Sequence, residues 1–497
     1  MEQAPADPKN AFPSPVYRDT VLAQVFADAK RYFLRPLIEI DYAHTLMLCR
    51  QGIVSLSDAA QCLRALDGLD LAAIEAMPYD GSFEDLFFLI QREIALACGA
   101  EAGGRMHTAR SRNDIDLTMY RMVLRSLIIE TLTELHAFRS CLIDLAWKHR
   151  ASLCPAYTHN QPAQPTTVGH YLMGMIEVLE RDSERLIAAY GRVNRSPLGA
   201  CAITTTGFPI DREFTRVLLG FDGLQVNSYG AIAAVDYLTE SCSSLAVLML
   251  NLGRFAQDLL LWSTAELGFL RLSDGYVQVS SIMPQKRNPV AIEHVRILAS
   301  RAFTQGQSIL GCLHNTPFAD MNDAEDDLQP LAYTAFGDAD RALRLLTGIL
   351  NEAELNVEAM ALAADRNHLA ATELADLLVR STGISFHEAH RIVSSAVKQA
   401  GGNAGPDAMV ARIEHALAAH PALARISPDE IRKSLMAANF VAVRRVPGGP
   451  APEVLDSEIL RSRERSAECK QWIAQAKQRL EQAHLALHAQ SDNLVQH

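Results

Sequence analysis

Apolar residues recur along this chain at helical spacing. Between Arg105 and Cys154 there is neither Gly nor Pro, and Leu124, Leu127, Ile128, Leu132, Leu135, Leu142 and Leu145 keep mostly to one helical face. The segment from Ala231 to Trp262 is more regular. Leu238, Cys242, Leu245, Met249, Leu252, Ala256 and Leu259 alternate steps of four and three, the seam of helices packed at a shallow angle. As one helix it would span roughly 45 Å. Trp472, Ile473, Ala476, Leu480, Ala483 and Leu487 predict another amphipathic helix with a Lys, Gln and Glu face. Period-two runs closed by Asn-Gly or Asp-Gly turns are nearly absent, so few strands are expected. The pattern predicts an all-α protein. An elongated central helical bundle (114–364) is expected between an N-terminal helical domain (1–113) and a C-terminal one (365–497). Loop-like breaks fall at Pro78–Ser82, Ser196–Pro209, Gly268–Pro289, Gly401–Pro406 and Pro447–Pro452.

Composition narrows the function classes. A chain of 497 residues suggests two or three structural units, and 49% apolar with 21% charged residues excludes a mainly disordered one. Lys+Arg 46 against Asp+Glu 58 gives a net charge of -12, which argues against a nucleic-acid partner but leaves room for a local cationic pocket. The apolar run from Leu245 to Leu250 stops at Asn251, short of a membrane span, so no membrane association is expected. Met1–Pro15 is polar and dotted with proline, unlike a signal peptide. Nine scattered cysteines without a C-x-x-C pair read as reduced thiols of a cytoplasmic protein.

Three polar clusters interrupt the helical pattern. The first, His107 to Asp114, puts Arg110, Ser111, Arg112 and Asn113 ahead of a long apolar-periodic helix. Its N–H groups and Arg112 suit a carboxylate, although an ordinary charged helix start would look the same. The second runs from Tyr157 to Pro165 and holds Thr158, His159 and Gln164 in a loop leading to a helix. His159 suits acid–base chemistry near neutral pH, and equally a satisfied structural histidine. The third runs from Ser280 through Ser281, Ile282, Met283 and Lys286 to Asn288, with Glu293 on the following helix. Hydroxyls, cations and an amide beside a helix N-terminus favour negative charge. A solvated linker would not explain Ile282 and Met283.

At these residues the chain resembles a known family. Ser280–Pro289 is similar to the S-S-x-M-P-x-K-x-N signature of the aspartase/fumarase superfamily. The first cluster resembles the H-T-x-R-S-R-N-D run, and the second the Y-T-H-x-Q-x-A-Q-P run, of its argininosuccinate lyase branch. Thr206–Glu213, Ala371–Asp376 and Pro447–Pro452 extend the likeness, so it covers the chain from about residue 17 onward.

The resemblance implies a carbon–nitrogen lyase that removes an amine from an N-substituted aspartate and releases fumarate. It implies a homotetramer whose active sites are each shared among three subunits, with no metal and no organic cofactor. The catalytic base matching the pattern is Ser280, with Ser281 as the alternative, ionised by Lys286 and the following helix N-terminus. Lys286, Asn288, Thr158, Ser111 or Asn113, and Arg112 would hold the dianionic intermediate, with Gln164 in the substrate site. His159, oriented by Glu293, is the candidate acid.

The likeness has gaps on the amine side. Where the branch reads P-L-A-Y-N-R-D-L-Q-E-D-K-E-P-L, this chain has Pro317–Leu331, and the Tyr, Gln and Lys that serve the arginine moiety become Asp320, Glu325 and Leu328. Its D-I-x-G-S-x-A-H becomes Leu37–His44, and its E-D-x-H becomes Glu84–Phe87. Asp320 and Glu325, with Asp41 as a further candidate, are expected to meet the leaving amine. The alternatives are an aminopolycarboxylate lyase of the ethylenediamine-disuccinate type and a crystallin-like structural protein on the same scaffold.

Overall fold

The protein is described by a computed structural model over residues 12–400, 406–418 and 426–496, which leaves Gly401–Gly405 of one expected break and most of Met1–Pro15 outside it. Seven helices position everything of functional interest: α1 (Leu34–Arg50), α2 (Arg112–Lys148), α3 (Val168–Val193), α4 (Asp236–Trp262), α5 (Val290–Leu313), α6 (Gln329–Glu352) and α7 (Pro452–Gln496).

Local chemistry sets where α2 begins. The Ser111 hydroxyl accepts the Asn113 N–H, and the Asp114 carboxylate accepts the Ser111 N–H at 3.0 Å, closing a capping box. The other Asp114 oxygen accepts the N–H groups of Gly199 (2.7 Å) and Cys201 (2.9 Å), so the same residue pins the 199–201 loop to the helix start.

The bundle α2–α6 alternates in direction. Arg121, near the start of α2, donates to the Arg192 carbonyl at the end of α3 and lies over the Tyr237 ring at the start of α4. At the other end Tyr171, from the first turn of α3, donates to Asp258 and packs on Trp262 at the close of α4. One end, called proximal here, therefore gathers the starts of α2, α4 and α6. The distal end gathers the starts of α3 and α5. The α4 seam, from Leu238 to Leu259, is buried throughout. By length and composition α4 is apolar enough to cross a membrane, although no run within it is continuously apolar for that length. Its buried seam makes it the core helix of this bundle. The helix expected from Ala231 is broken by extended backbone at Ala234, and α4 starts only at Asp236.

The second cluster is a hairpin rather than a loop. Strand β1 (Leu153–Thr158) pairs antiparallel with β2 (Gln161–Thr167) from Leu153↔Thr167 to Thr158↔Gln161. The turn is His159-Asn160, with φ 51° and 59°. Two consecutive positive φ values give the twist a two-residue hairpin needs. Pro155, Pro162 and Pro165 lie inside the strands, which hides them from a pattern-based reading. The third cluster closes a smaller antiparallel pair, β3 (Gln278–Val279) with β4 (Arg287–Asn288).

Residues from Leu374 to Leu435 form a separate small core. The last helix does not join it. Leu455, Ile459, Cys469, Ile473, Ala476 and Leu487 of α7 belong to the main core, and α7 lies along α1, α2 and α3. Its anchor is polar as well. Glu180 on α3 accepts from Ser462 (2.6 Å) and Arg465 (2.9 Å) of α7 and lies against the buried Arg139 of α2. Removing one partner of a buried pair leaves the other uncompensated. Glu180→Ala is therefore expected to destabilise the protein by about 3 kcal/mol, read as a lowered urea midpoint, whereas an unchanged midpoint would show that α7 is held by its apolar face alone.

Candidate active site

The proximal end carries the first cluster. Ser111 caps α2 and its hydroxyl lies 3.1 Å from the Asn113 side-chain oxygen, while the Asn113 amide donates to the Ala202 carbonyl at 3.2 Å. Arg112, read as a carboxylate ligand, is already engaged by Glu84 (3.1 Å) and Asp85 (2.5 Å) of its own chain. Beneath it the neighbouring Arg110 forms a fully buried ion pair with Asp41, in which one Asp41 oxygen and two Arg110 nitrogens lack partners. Asp41 therefore supports this turn from below and does not face an amine. The register supplied its position, but burial decided its partner.

Asp320 and Glu325, from the connection between α5 and α6, lie at this same end. The Tyr120 hydroxyl of α2 donates to Asp326 at 2.5 Å, which fixes the connection against the first cluster. Asp116, one turn into α2, joins them, and neither Asp116 nor Asp326 was singled out from the sequence. Their signal was available, because Asp116 lies three residues beyond Asn113 on the same helix. Burial raises all four carboxyls above their ordinary range. Glu325 is pushed up to about 7, by burial first and then by Asp320 and Asp326, with Arg112 opposing.

The distal end carries the other two clusters. Thr158 and His159 are exposed at the hairpin tip, and the Gln164 amide donates to the Thr372 hydroxyl at 3.3 Å, tying β2 to the C-terminal unit. In the third cluster Ser280 Oγ accepts the main-chain N–H groups of Met283 (3.0 Å) and Ile282 (3.3 Å). Donors aimed at an oxygen favour its anion, a feature no residue pattern could reveal. Ser281 and Lys286 are exposed on this loop, Asn288 pairs with Gln278 across β3–β4, and Glu293 is in the first turn of α5. Arg287 is bound to Asp274, which folds the loop back on its approach. Among the described residues no hydrogen bond or ion pair joins Ser280 to Lys286, or His159 to Glu293.

One chain does not bring the three clusters together. Between Ser111 and the hairpin lie the 37 residues of α2, a separation of roughly 55 Å at 1.5 Å per residue.

Comparison with known proteins gives this arrangement a class. Residues 90–304 match the Lyase family, and residues 368–442 match the argininosuccinate lyase C-terminal family. Among solved structures, EDDS lyase in complex with formate superposes with a TM-score of 0.86 at 32% identity, over 94% of this chain and 93% of that one. An EDDS lyase variant with bound fumarate gives 0.85 at the same identity and coverage. The bundle and its polar clusters are those of a carbon–nitrogen lyase. Argininosuccinate lyase 2 of Agrobacterium fabrum (strain C58 / ATCC 33970) is 43% identical over 447 residues, 89% of this chain and 88% of that protein. The chain belongs to the argininosuccinate lyase family.

The proximal carboxyls make stability depend on pH. An acid whose folded pKa is raised contributes fully below its unfolded value and loses that contribution as pH climbs through the folded one. For Glu325 the window runs from 4.5 to about 7. The thermal midpoint should fall across this window, and less steeply in Glu325→Gln. A slope unaltered by that substitution would assign the proton to another group.

Proposed function

We propose that the chain eliminates an amine from an N-substituted aspartate to release fumarate, at sites shared among the subunits of a cytoplasmic homotetramer. The observation that carries this reading is the Ser280 hydroxyl, held under two main-chain N–H groups on a loop that also bears Lys286 and Asn288. The fumarate bound in the related EDDS lyase variant supports the product. The separation of the clusters in one chain supports sharing, since α2 is too long for its two ends to serve one small substrate. Exposed Val247, Leu250 and Leu261 of α4 with Ile297 and Leu310 of α5 supply an apolar face for the partner subunits.

The chemistry follows from residue types. The carbon to be deprotonated lies next to a carboxylate and is weakly acidic. Ser280, as its alkoxide, takes that proton. The charge moves onto the carboxylate, and the resulting dianion is held by Lys286 and Asn288 with Thr158, Ser111 and Asn113 from other subunits. Arg112 steers the anionic substrate while Glu84 and Asp85 keep its plane fixed. Ser281 and Gln164 complete the substrate contacts. The carbon–nitrogen bond then breaks as the double bond of fumarate forms. His159, oriented by Glu293, protonates the departing nitrogen, and an amine that arrives protonated needs no acid.

The amine is read from Asp320 and Glu325. Carboxylates this enclosed are stabilised by a cation brought to them. A compact or multiply charged ammonium suits them better than a planar guanidinium, which wants a bidentate partner. Argininosuccinate is the substrate that the names of the curated relatives favour, and an adduct of the ethylenediamine-disuccinate type is the alternative.

Three experiments test this reading. Ser280→Ala should fold and lose several orders of magnitude in turnover, with Ser281→Ala as the paired control. Mixing it with His159→Asn protein and allowing subunit exchange should restore part of the activity. Mixed oligomers with no recovered turnover would show that each chain holds a complete site. For the amine, diamines should outcompete arginine in addition to fumarate, and Asp320→Asn or Glu325→Gln should weaken that preference with little effect on fumarate affinity. Efficient argininosuccinate cleavage that neither substitution alters would identify arginine as the amine.

A further inference from the structure

The entry to the serine loop is fastened along the last turns of α6. Leu270 and Arg271 pair antiparallel with Leu355 and Glu354, just beyond that helix, and the Asn356 N–H donates to the Phe269 carbonyl at 2.9 Å. Further along, Ser273 Oγ donates to Glu352 at 2.8 Å. The Tyr276 hydroxyl then comes to rest over Gly348, one turn earlier in α6. Segment and helix therefore run antiparallel, from Phe269 at Asn356 to Tyr276 at Gly348.

Gly348 makes the last of these contacts possible. A Cβ at this position would lie 2.7 Å from Tyr276 Oη and 3.6 Å from Cζ. The first distance is too short for unbonded atoms, so a methyl group here would displace the hydroxyl by several tenths of an ångström. Glycine inside a helix is unfavourable in itself. Gly348 has no positive φ, so its backbone does not call for glycine, and room for Tyr276 is the requirement that the structure shows. Tyr276 is half-buried and packs with Val277 against the main core, which leaves its ring little freedom to turn aside. Displacing the ring therefore moves the backbone four residues ahead of Ser280. On the exit side Arg287 pairs with Asp274 and donates to the Leu272 carbonyl at 2.9 Å, so both ends of the loop refer to the same fastened segment.

We propose that Tyr276, seated on Gly348, is the fixed foot of the serine loop, and that the two are positioning residues which set where Ser280 stands for proton removal. This rests on Ser280 being the base. Strand β3 is the only chain between foot and serine, so an offset at Tyr276 is carried directly to Ser280 Oγ. Misplacing a reacting atom by about 1 Å costs on the order of a hundredfold in rate.

Steady-state kinetics of the full-length protein test this, with ethylenediamine addition to fumarate and argininosuccinate cleavage as the two assays. Gly348→Ala should lower kcat about tenfold or more with KM within about threefold, the split expected when only the transition state is affected. Tyr276→Phe removes the atom that the new methyl would strike and leaves the ring in ordinary contact. The double variant Gly348→Ala/Tyr276→Phe should therefore recover most of the lost turnover. Trypsin cleavage after the exposed Lys286 reads the loop without substrate, and should be faster in Gly348→Ala and return to the wild-type rate in the double variant. Tyr276→Ala, which empties the seat and leaves α6 intact, should reproduce the loss of kcat and the faster cleavage. Wild-type kcat and cleavage in Gly348→Ala, or a lowered thermal midpoint and turnover that Tyr276→Phe does not rescue, would overturn the proposal. Turnover that survives Ser280→Ala would instead reject Ser280 as base, while the trypsin comparison would still decide whether Tyr276 on Gly348 holds the loop.

Discussion

An α-helix cannot fold back on itself, and the 37 residues of α2 turn that fact into the organising constraint of this protein. The helix starts in one polar cluster and ends at the hairpin that carries the next. The alternating bundle repeats the separation, because α4 ends and α5 begins beside the serine loop at the distal end. The candidate catalytic residues are therefore at the helix ends, where loops and unpaired N–H groups are found, and the shaft between them is mostly apolar core. A tightly packed shaft also explains why short capping interactions matter. Asp114 closes a capping box and binds two further N–H groups, so the orientation of Ser111 and Asn113 is set by the rigid helix behind them.

The two ends differ in electrostatic character. At the proximal end Asp116, Asp320, Glu325 and Asp326 crowd around Arg112, which Glu84 and Asp85 already hold. Self-repulsion among them is relieved only by protons or by an incoming cation. At the distal end the exposed loop offers Lys286 and N–H donors to an anion. An N-substituted aspartate has both characters, a dicarboxylate at one side of its nitrogen and an amine at the other. Under the proposed function, the polarity of the substrate is mirrored in which end of a helix each half of the proposed site occupies.

Much of this was legible in the residues. The alternating steps from Leu238 to Leu259 gave a buried seam, and the clusters at Ser111–Asn113, Thr158–Gln164 and Ser280–Asn288 stood out because they interrupt apolar periodicity. What stayed hidden has identifiable causes. Prolines concealed both strands of the hairpin, and an extended Ala234 broke a helix that the pattern alone would have continued. Asp41 meets Arg110 across 69 positions, and Arg112 meets Asp85 across 27, so those pairings depend on how α1 and the 84–85 turn dock on α2. The cap on Ser280 Oγ is made by main-chain atoms, which every sequence possesses. The destination of α7 was equally unreadable, since its apolar stripe is compatible with any complementary groove.

That destination has a consequence for biosynthesis. Helix α7 leaves the ribosome after α1 to α6, yet its Leu455, Ile459, Ile473 and Leu487 complete the core begun by α1, α2 and α3. Until α7 emerges, the nascent chain must present that seam to solvent, with Arg139 lacking the anchor it shares with α7. Chains N-terminal to such a closure are the aggregation-prone species of synthesis. Truncation by a premature stop ahead of α7 would therefore expose a long apolar trough to the quality-control machinery, although every catalytic candidate upstream had been translated intact.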